Sequence, residues 1–321
     1  MTKAPIIDAL QFTRPCRSIY EEMRAGGVDA VHMTVSYHEG FRATVAALAD
    51  WNREFEQNGD VILRATHVDD IRVAQETGRT AIFFGAQNPA PMEDDLGLIE
   101  ILHQLGLRFM QLSYNNQSLL CSGCYEPDDT GLTNMGREAV AEMNRVGLVI
   151  DMSHSGDRSR REAIEASARP IAITHANPAH WHDVPRNVRP ETLDALVESG
   201  GMLGFSLYPL HLRAGSDCTL ESFCTMVARL AERVGTAGIG IGSDLCQGQP
   251  DSALAWMRDG RWKKVRGQEA RFPPQPAFFE SNRDFTGLKQ GLSEVGFDAE
   301  EVSAILGGNW MRFFEKSFGP T

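Results

Sequence analysis

Short, nearly continuous apolar runs alternate along this chain with longer stretches of helical period. The runs fall at 5–9, 28–35, 80–85, 107–113, 147–151, 170–174, 202–206 and 238–242. Between them lie amphipathic segments such as 135–145, with Val140 and Met143 followed by Val146, and 219–234, with Phe223, Met226, Val227, Leu230 and Val234. Runs that are nearly continuously apolar read as strands buried on both faces, and helices between them cover a parallel sheet. Eight such units most simply close into a (β/α)8 TIM-type barrel, here expected as one domain over residues 1–321 with terminal helices at 285–316. A doubly wound open sheet is the competing arrangement, but the glycine-rich first turn of a dinucleotide fold is missing after Asp8. The late run Gly238, Gly240, Gly242 ends in Ser243-Asp244 and reads as glycines that permit tight barrel packing. The segment 247–285, rich in Pro, Trp, Gln and Arg, breaks the alternation and is expected to be a long loop over the strand ends.

Charge narrows the function classes. Across 321 residues the formal net charge is −12, which leaves no basic stripe to neutralise phosphates and argues against nucleic acid as a partner. No stretch approaches the ~18–20 apolar residues of a membrane span, and the N-terminus runs straight into the first strand, so a cytoplasmic protein without a membrane partner is expected. Nothing in the sequence opposes a homo-oligomer. Six cysteines do not make a disulfide framework at this length, and Cys121-Ser-Gly-Cys124 has no second pair to complete a zinc ribbon; free thiols are expected.

Candidate chemistry sits just past the strand ends, the face on which parallel barrels build their sites. His154 follows Val149-Ile150-Asp151-Met152-Ser153, and His175 follows Ile171-Ala172-Ile173-Thr174. Neutral imidazole suits zinc, and a catalytic zinc site takes about three protein ligands plus an open position.

Read together, five strand-end segments resemble the membrane (renal) dipeptidase family, a zinc-dependent branch of the amidohydrolase superfamily. They are Asp151-Met152-Ser153-His154, the His175 strand end, Pro185-Arg186-Asn187-Val188, Gly240-Ile241-Gly242-Ser243-Asp244 and Leu306-Gly307-Gly308-Asn309-Trp310. The resemblance implies a barrel in which two zinc ions share a bridging carboxylate and a hydroxide that attacks a peptide carbonyl. It also implies roles: His154 and His175 as ligands of one metal, Asp244 as proton shuttle, and Arg186 as the residue that binds the substrate carboxylate. Four positions depart from the family pattern. Leu10 and Phe12 replace the first-strand His and Asp, Gln87 replaces the bridging Glu, and Tyr114 replaces a histidine that contacts the substrate carbonyl.

The expectation is therefore a divergent dipeptidase-like hydrolase acting on a small carboxylate-bearing amide, with one zinc ion or fewer. A third ligand is open between Gln87 through its carbonyl oxygen, Asp244 and Cys124. Tyr114 and Gln87 are candidate substrate contacts, with the Tyr114 hydroxyl able to serve the carbonyl oxygen in place of the missing histidine. Arg189 rivals Arg186 as carboxylate anchor, and His180 and His182 read as surface or pocket-rim residues, with Trp181 between them a candidate pocket wall. Two other functions stay open: a metal-independent lyase or isomerase in the same pocket, and an inactive small-molecule binding protein.

Overall fold

In a computed structural model the described residues are 4–260, 263 and 270–318. Their strands are β1 (Ile6–Gln11), β2 (Val28–Ser36), β3 (Ile62–Arg64), β4 (Thr80–Ala86), β5 (Leu107–Gln111), β6 (Val149–Asp151), β7 (Ala172–Ala176), β8 (Met202–Phe205) and β9 (Ile239–Ile241). All pair in parallel, in the order β1-β2-β4-β5-β6-β7-β8-β9. The ring closes where Gln11 bridges Leu245, with Asp244 N–H donating to Leu10 C=O at 3.0 Å and Phe12 N–H to Leu245 C=O at 2.9 Å. That closure makes a barrel of the eight expected strands and excludes the open sheet. β3 was not expected: it pairs with Thr80–Ile82 of β4, while β5 takes over from Phe84 onward. Three residues are too few to show a period in sequence.

Helices α1 (Arg17–Ala25), α2 (Phe41–Asn58), α3 (Asp69–Thr77), α4 (Gly97–Gln104), α5 (Asn134–Val146), α6 (Asp157–Ala166), α7 (Pro190–Glu198) and α8 (Leu220–Val234) cover the outside. The two segments of clearest period are capped as their sequences dictate. Thr133 accepts from Gly136 N–H and Thr219 from Ser222 N–H, and Gly147 ends α5 in the left-handed region at φ 80°. Within the stretch read as a long loop, α9 (Asp251–Asp259) forms a helix over the strand ends, and residues 261, 262 and 264–269 of that stretch lie outside the described residues. Among the described residues no helix is long and apolar enough to cross a membrane.

The chain ends in α10 (Phe285–Glu294), α11 (Ala299–Ser303) and α12 (Asn309–Ser317). Trp310, Phe313 and Phe314 of α12 pack against Ile7, Phe83, Phe109 and Met202 and fill the N-terminal mouth of the barrel. Trp310 Nε1 donates to Ile241 C=O at 3.0 Å and Asn309 Nδ2 to Ile239 C=O at 2.7 Å, so the helix is also tied to β9. The glycine run has the packing role read from it: a side chain at 240 would meet the Trp310 indole, and one at 242 the Thr174 carbonyl. Gly240→Ala is expected to cost about 1–3 kcal/mol through overpacking, read as a lower denaturation midpoint at unchanged slope. A midpoint equal to that of the parent would show that α12 seats elsewhere.

Candidate active site

The carboxyl ends of the strands open on a cavity of about 340 Å³ whose wall includes Tyr114, His154, Arg186, Tyr208, His211 and Asp244. Four of the residues singled out in sequence therefore meet in one pocket. His175 lies directly behind His154 and is fully buried. Gln87, expected as a ligand or substrate contact, is not among the residues that line this cavity. Its amide donates to Thr34 Oγ1 at 2.8 Å and to Tyr37 Oη at 2.9 Å, so the residue that replaces the family's bridging carboxylate supports the barrel wall instead.

The two histidines are set by a shared hydrogen-bond shell. Asp151 accepts from Ser153 Oγ at 2.6 Å and from Thr174 Oγ1 at 2.6 Å, and both hydroxyl protons are thereby committed. Thr174 Oγ1, having given its proton to Asp151, is left to accept from His175 Nδ1 at 2.8 Å. On the other ring, His154 Nδ1 donates to Asn115 Oδ1 at 2.7 Å. With both Nδ1 atoms acting as donors, the neutral rings turn their Nε2 lone pairs toward each other, and these nitrogens lie 3.0 Å apart. Two facing lone pairs require a shared cation, a proton or a metal, between them. Burial, with Arg186 nearby, lowers the pKa of both rings well below the usual histidine value and disfavours the proton. Metal-binding histidines are held in this way, with the remote nitrogen donating into a carboxylate-anchored chain.

His154 Nε2 and His175 Nε2 are thus placed where they could hold a shared metal ion. Among the described residues no group of three His, Cys, Asp or Glu side chains converges on a point. Cys124, one candidate third ligand, instead directs its thiol to Asn115 Oδ1 at 3.7 Å, and all six cysteines are free. On the β1 side residues 10 and 12 are apolar. Leu10 is buried, and Phe12 packs edge-on against Tyr37 at 4.8 Å in a cluster with Tyr114, Leu254 and Met257. Tyr114 in turn stacks on His154 at 4.0 Å between ring centres.

Asp244 occupies the left-handed region at φ 59°, unusual for a residue with a side chain though tolerated by aspartate. It lines the cavity. Its carboxyl pKa is raised to about 7, chiefly by burial; Arg186 opposes the shift and Asp8 and Asp151 add to it. Asp8, the start of the first-strand motif, is no cavity residue: it accepts from Ser243 N–H at 2.7 Å and Gln11 Nε2 at 2.7 Å and ties β1 to the Asp244 turn. Arg186 is 2% exposed; its guanidinium donates to the carbonyls of Ser153 and, at 3.1 Å, His175, yet it still faces the cavity. Its rival Arg189 is exposed and paired with Asp183 at 3.0 Å. His180 is exposed, and neither it, Trp181 nor His182 lines the cavity.

His211 was missed in sequence. It follows β8 in a short 3-10 turn, and its main-chain carbonyl accepts from Asn177 and Asn187, which holds the ring in the wall with Nδ1 on Ser206 Oγ at 2.8 Å and 4.0 Å from Asp244 Oδ2. Its place after a strand end was the available signal. Tyr208 and Arg258 were missed as well, the first on the same turn and the second on α9.

Comparison with known proteins places the fold and the family. A solved amidohydrolase from Pseudomonas aeruginosa is 34% identical, covering 98% of this chain and 97% of that one with a TM-score of 0.94. A metallo peptidase from Rhodobacter sphaeroides, liganded with a phosphinate mimic of the dipeptide L-Ala-D-Ala, shares the fold at a TM-score of 0.82 and 16% identity, over 98% of this chain and 100% of that one. The dipeptidase tcpJ of Claviceps purpurea is 26% identical over 301 residues, 92% of this chain, which spans 64% of that protein's length. Residues 9–255 match the family described as membrane dipeptidase, peptidase family M19, and the chain belongs to that family.

Proposed function

We propose that the chain hydrolyses a small amide bearing a free carboxylate, a dipeptide or dipeptide-like molecule. The observation that carries this reading is Arg186, a buried guanidinium on the cavity wall that has no carboxylate of its own within ion-pair distance among the described residues. A buried cation without a counter-ion calls for an anion from the ligand, and the planar fork suits a carboxylate.

In this reading Arg186 fixes the substrate carboxylate, and Asp244 takes a proton from the attacking water. The water oxygen bonds to the amide carbon, the carbon–nitrogen bond breaks, and Asp244 returns the proton to the leaving amine. The Tyr114 hydroxyl, kept protonated by burial, donates to the carbonyl oxygen as charge builds on it. A zinc ion held by His154 and His175 would acidify the water and polarise the carbonyl.

The test follows amine release from dipeptides and from their C-terminal amides, using chelator-treated protein before and after zinc addition. Release is expected from the free acids and not from the amides, with no more than one zinc retained per chain. Equal release from the amides would overturn the role of Arg186. Two retained zinc ions would overturn the assignment of Leu10, Phe12 and Gln87 as positions without ligands.

A further inference from the structure

The cavity is lopsided in charge for so acidic a chain. Some exposed arginines elsewhere pair with carboxylates, as Arg145 does with Glu100 and Arg233 with Asp194, and others, such as Arg14, Arg42 and Arg213, pair with none among the described residues. The cavity wall holds two guanidiniums, Arg186 and Arg258, neither with a carboxylate within ion-pair distance among the described residues, against one carboxylate, Asp244. Its remaining polar groups include the hydroxyl of Tyr125 and those of Tyr114 and Tyr208, which burial keeps protonated and available to donate. A site so rich in donors and poor in acceptors is complementary to a ligand rich in anionic oxygen.

The two arginines are placed differently. Arg186 comes from the loop after β7 and is sealed into the barrel mouth by the carbonyls it caps. Arg258 comes from α9, which is docked rather than loose over the opening. His38 Nε2 donates to Met257 C=O at 3.0 Å, Trp256 Nε1 donates to Glu39 Oε1 at 2.6 Å, and Leu254 and Met257 sit in the apolar cluster with Tyr37 and Tyr114. This anchoring holds Arg258 at the cavity edge beside Tyr208. A ligand with one carboxylate satisfies Arg186 and leaves Arg258 facing an uncompensated end of the same cavity.

We propose that the substrate carries a second anionic group, recognised by Arg258, so that the preferred amide is a dicarboxylate such as one whose amine-side residue is aspartate or glutamate. This rests on the reading in which Arg186 takes the first carboxylate. Arg258 is then a specificity residue on a docked helix, separate from the groups that move protons.

N-acetylglutamate and N-acetylglutamine, which share the amide and the first carboxylate and differ in side-chain charge, serve as probes in calorimetric titrations. The parent protein is expected to bind N-acetylglutamate at least ~10-fold more tightly, the ordinary scale of one charge-assisted contact. Arg258→Gln, at an exposed helical position, should erase that preference and leave the N-acetylglutamine Kd unchanged. Equal affinities in the parent, no binding of either probe, or a preference that survives Arg258→Gln would each overturn the proposal. A preference lost in Arg258→Gln, in a protein that releases amine from no dipeptide, would uphold the second anion site and reject the hydrolase reading. Dipeptide hydrolysis with no acidic preference would do the reverse.

Discussion

Asp244→Asn lowers kcat by about 10²- to 10⁴-fold, the usual contribution of a positioned acid or base, with a much smaller change in KM. The pH dependence gives the sharper check. Asp244 must be ionised to take the proton from water, and burial has lifted its pKa to about 7. The parent kcat/KM therefore climbs about tenfold per pH unit below 7 and levels above it. The Asn variant shows no such limb. Stability moves the opposite way. A carboxyl whose pKa is raised on folding is favourable in the folded state only while protonated, so its contribution is lost as the pH rises from about 4 to about 7. Asp244→Asn is accordingly expected to raise Tm at pH 8 and leave it unchanged at pH 4. A variant with parental kcat, or with the limb near pH 7 intact, would remove Asp244 from proton transfer.

Arg186→Ala is expected to raise KM or Kd for a carboxylate-bearing substrate with kcat much less affected. Losing one partner of a buried charge pair costs about 2–5 kcal/mol, or roughly 30- to several-thousand-fold in affinity. Arg186 also caps the carbonyls of Ser153 and His175, so truncation disturbs the loops that carry both histidines. Added guanidinium separates the two effects: it should restore binding in the Ala variant if the cation is what the substrate requires. Arg186→Lys should recover only part, because an ammonium cannot present two parallel N–H donors. Unchanged KM in the Ala variant, with normal folding, would pass the anchoring role to another residue.

The barrel was legible because most strands are largely apolar and the helices between them show their period, and these are local properties of the chain. β3 escaped because it is three residues long, and α9 because its sequence carries turn-like Pro, Gln and Gly at its start and end. The face on which His154, His175, Tyr114 and Asp244 lie was legible from their places after strand ends, since in a parallel barrel position after a strand fixes the face, whereas Arg186 was singled out by the resemblance of its loop segment.

Which way those side chains turn was decided by tertiary contacts. The Gln87 amide is oriented by Thr34 and Tyr37, from another strand and its loop, which accept its protons. The two imidazoles became one seat because Asp151, Thr174 and Asn115 set their tautomers from three different elements. His211 joined the wall through a loop that carries no period, and Arg258 through the short helix α9 that lies over the strand ends. The sequence by itself determined the barrel and the face of its chemistry, because hydrophobic period is written residue by residue. Only the tertiary structure decided which polar groups meet, because hydrogen-bond partners and charge balance arise between segments that are distant in the chain.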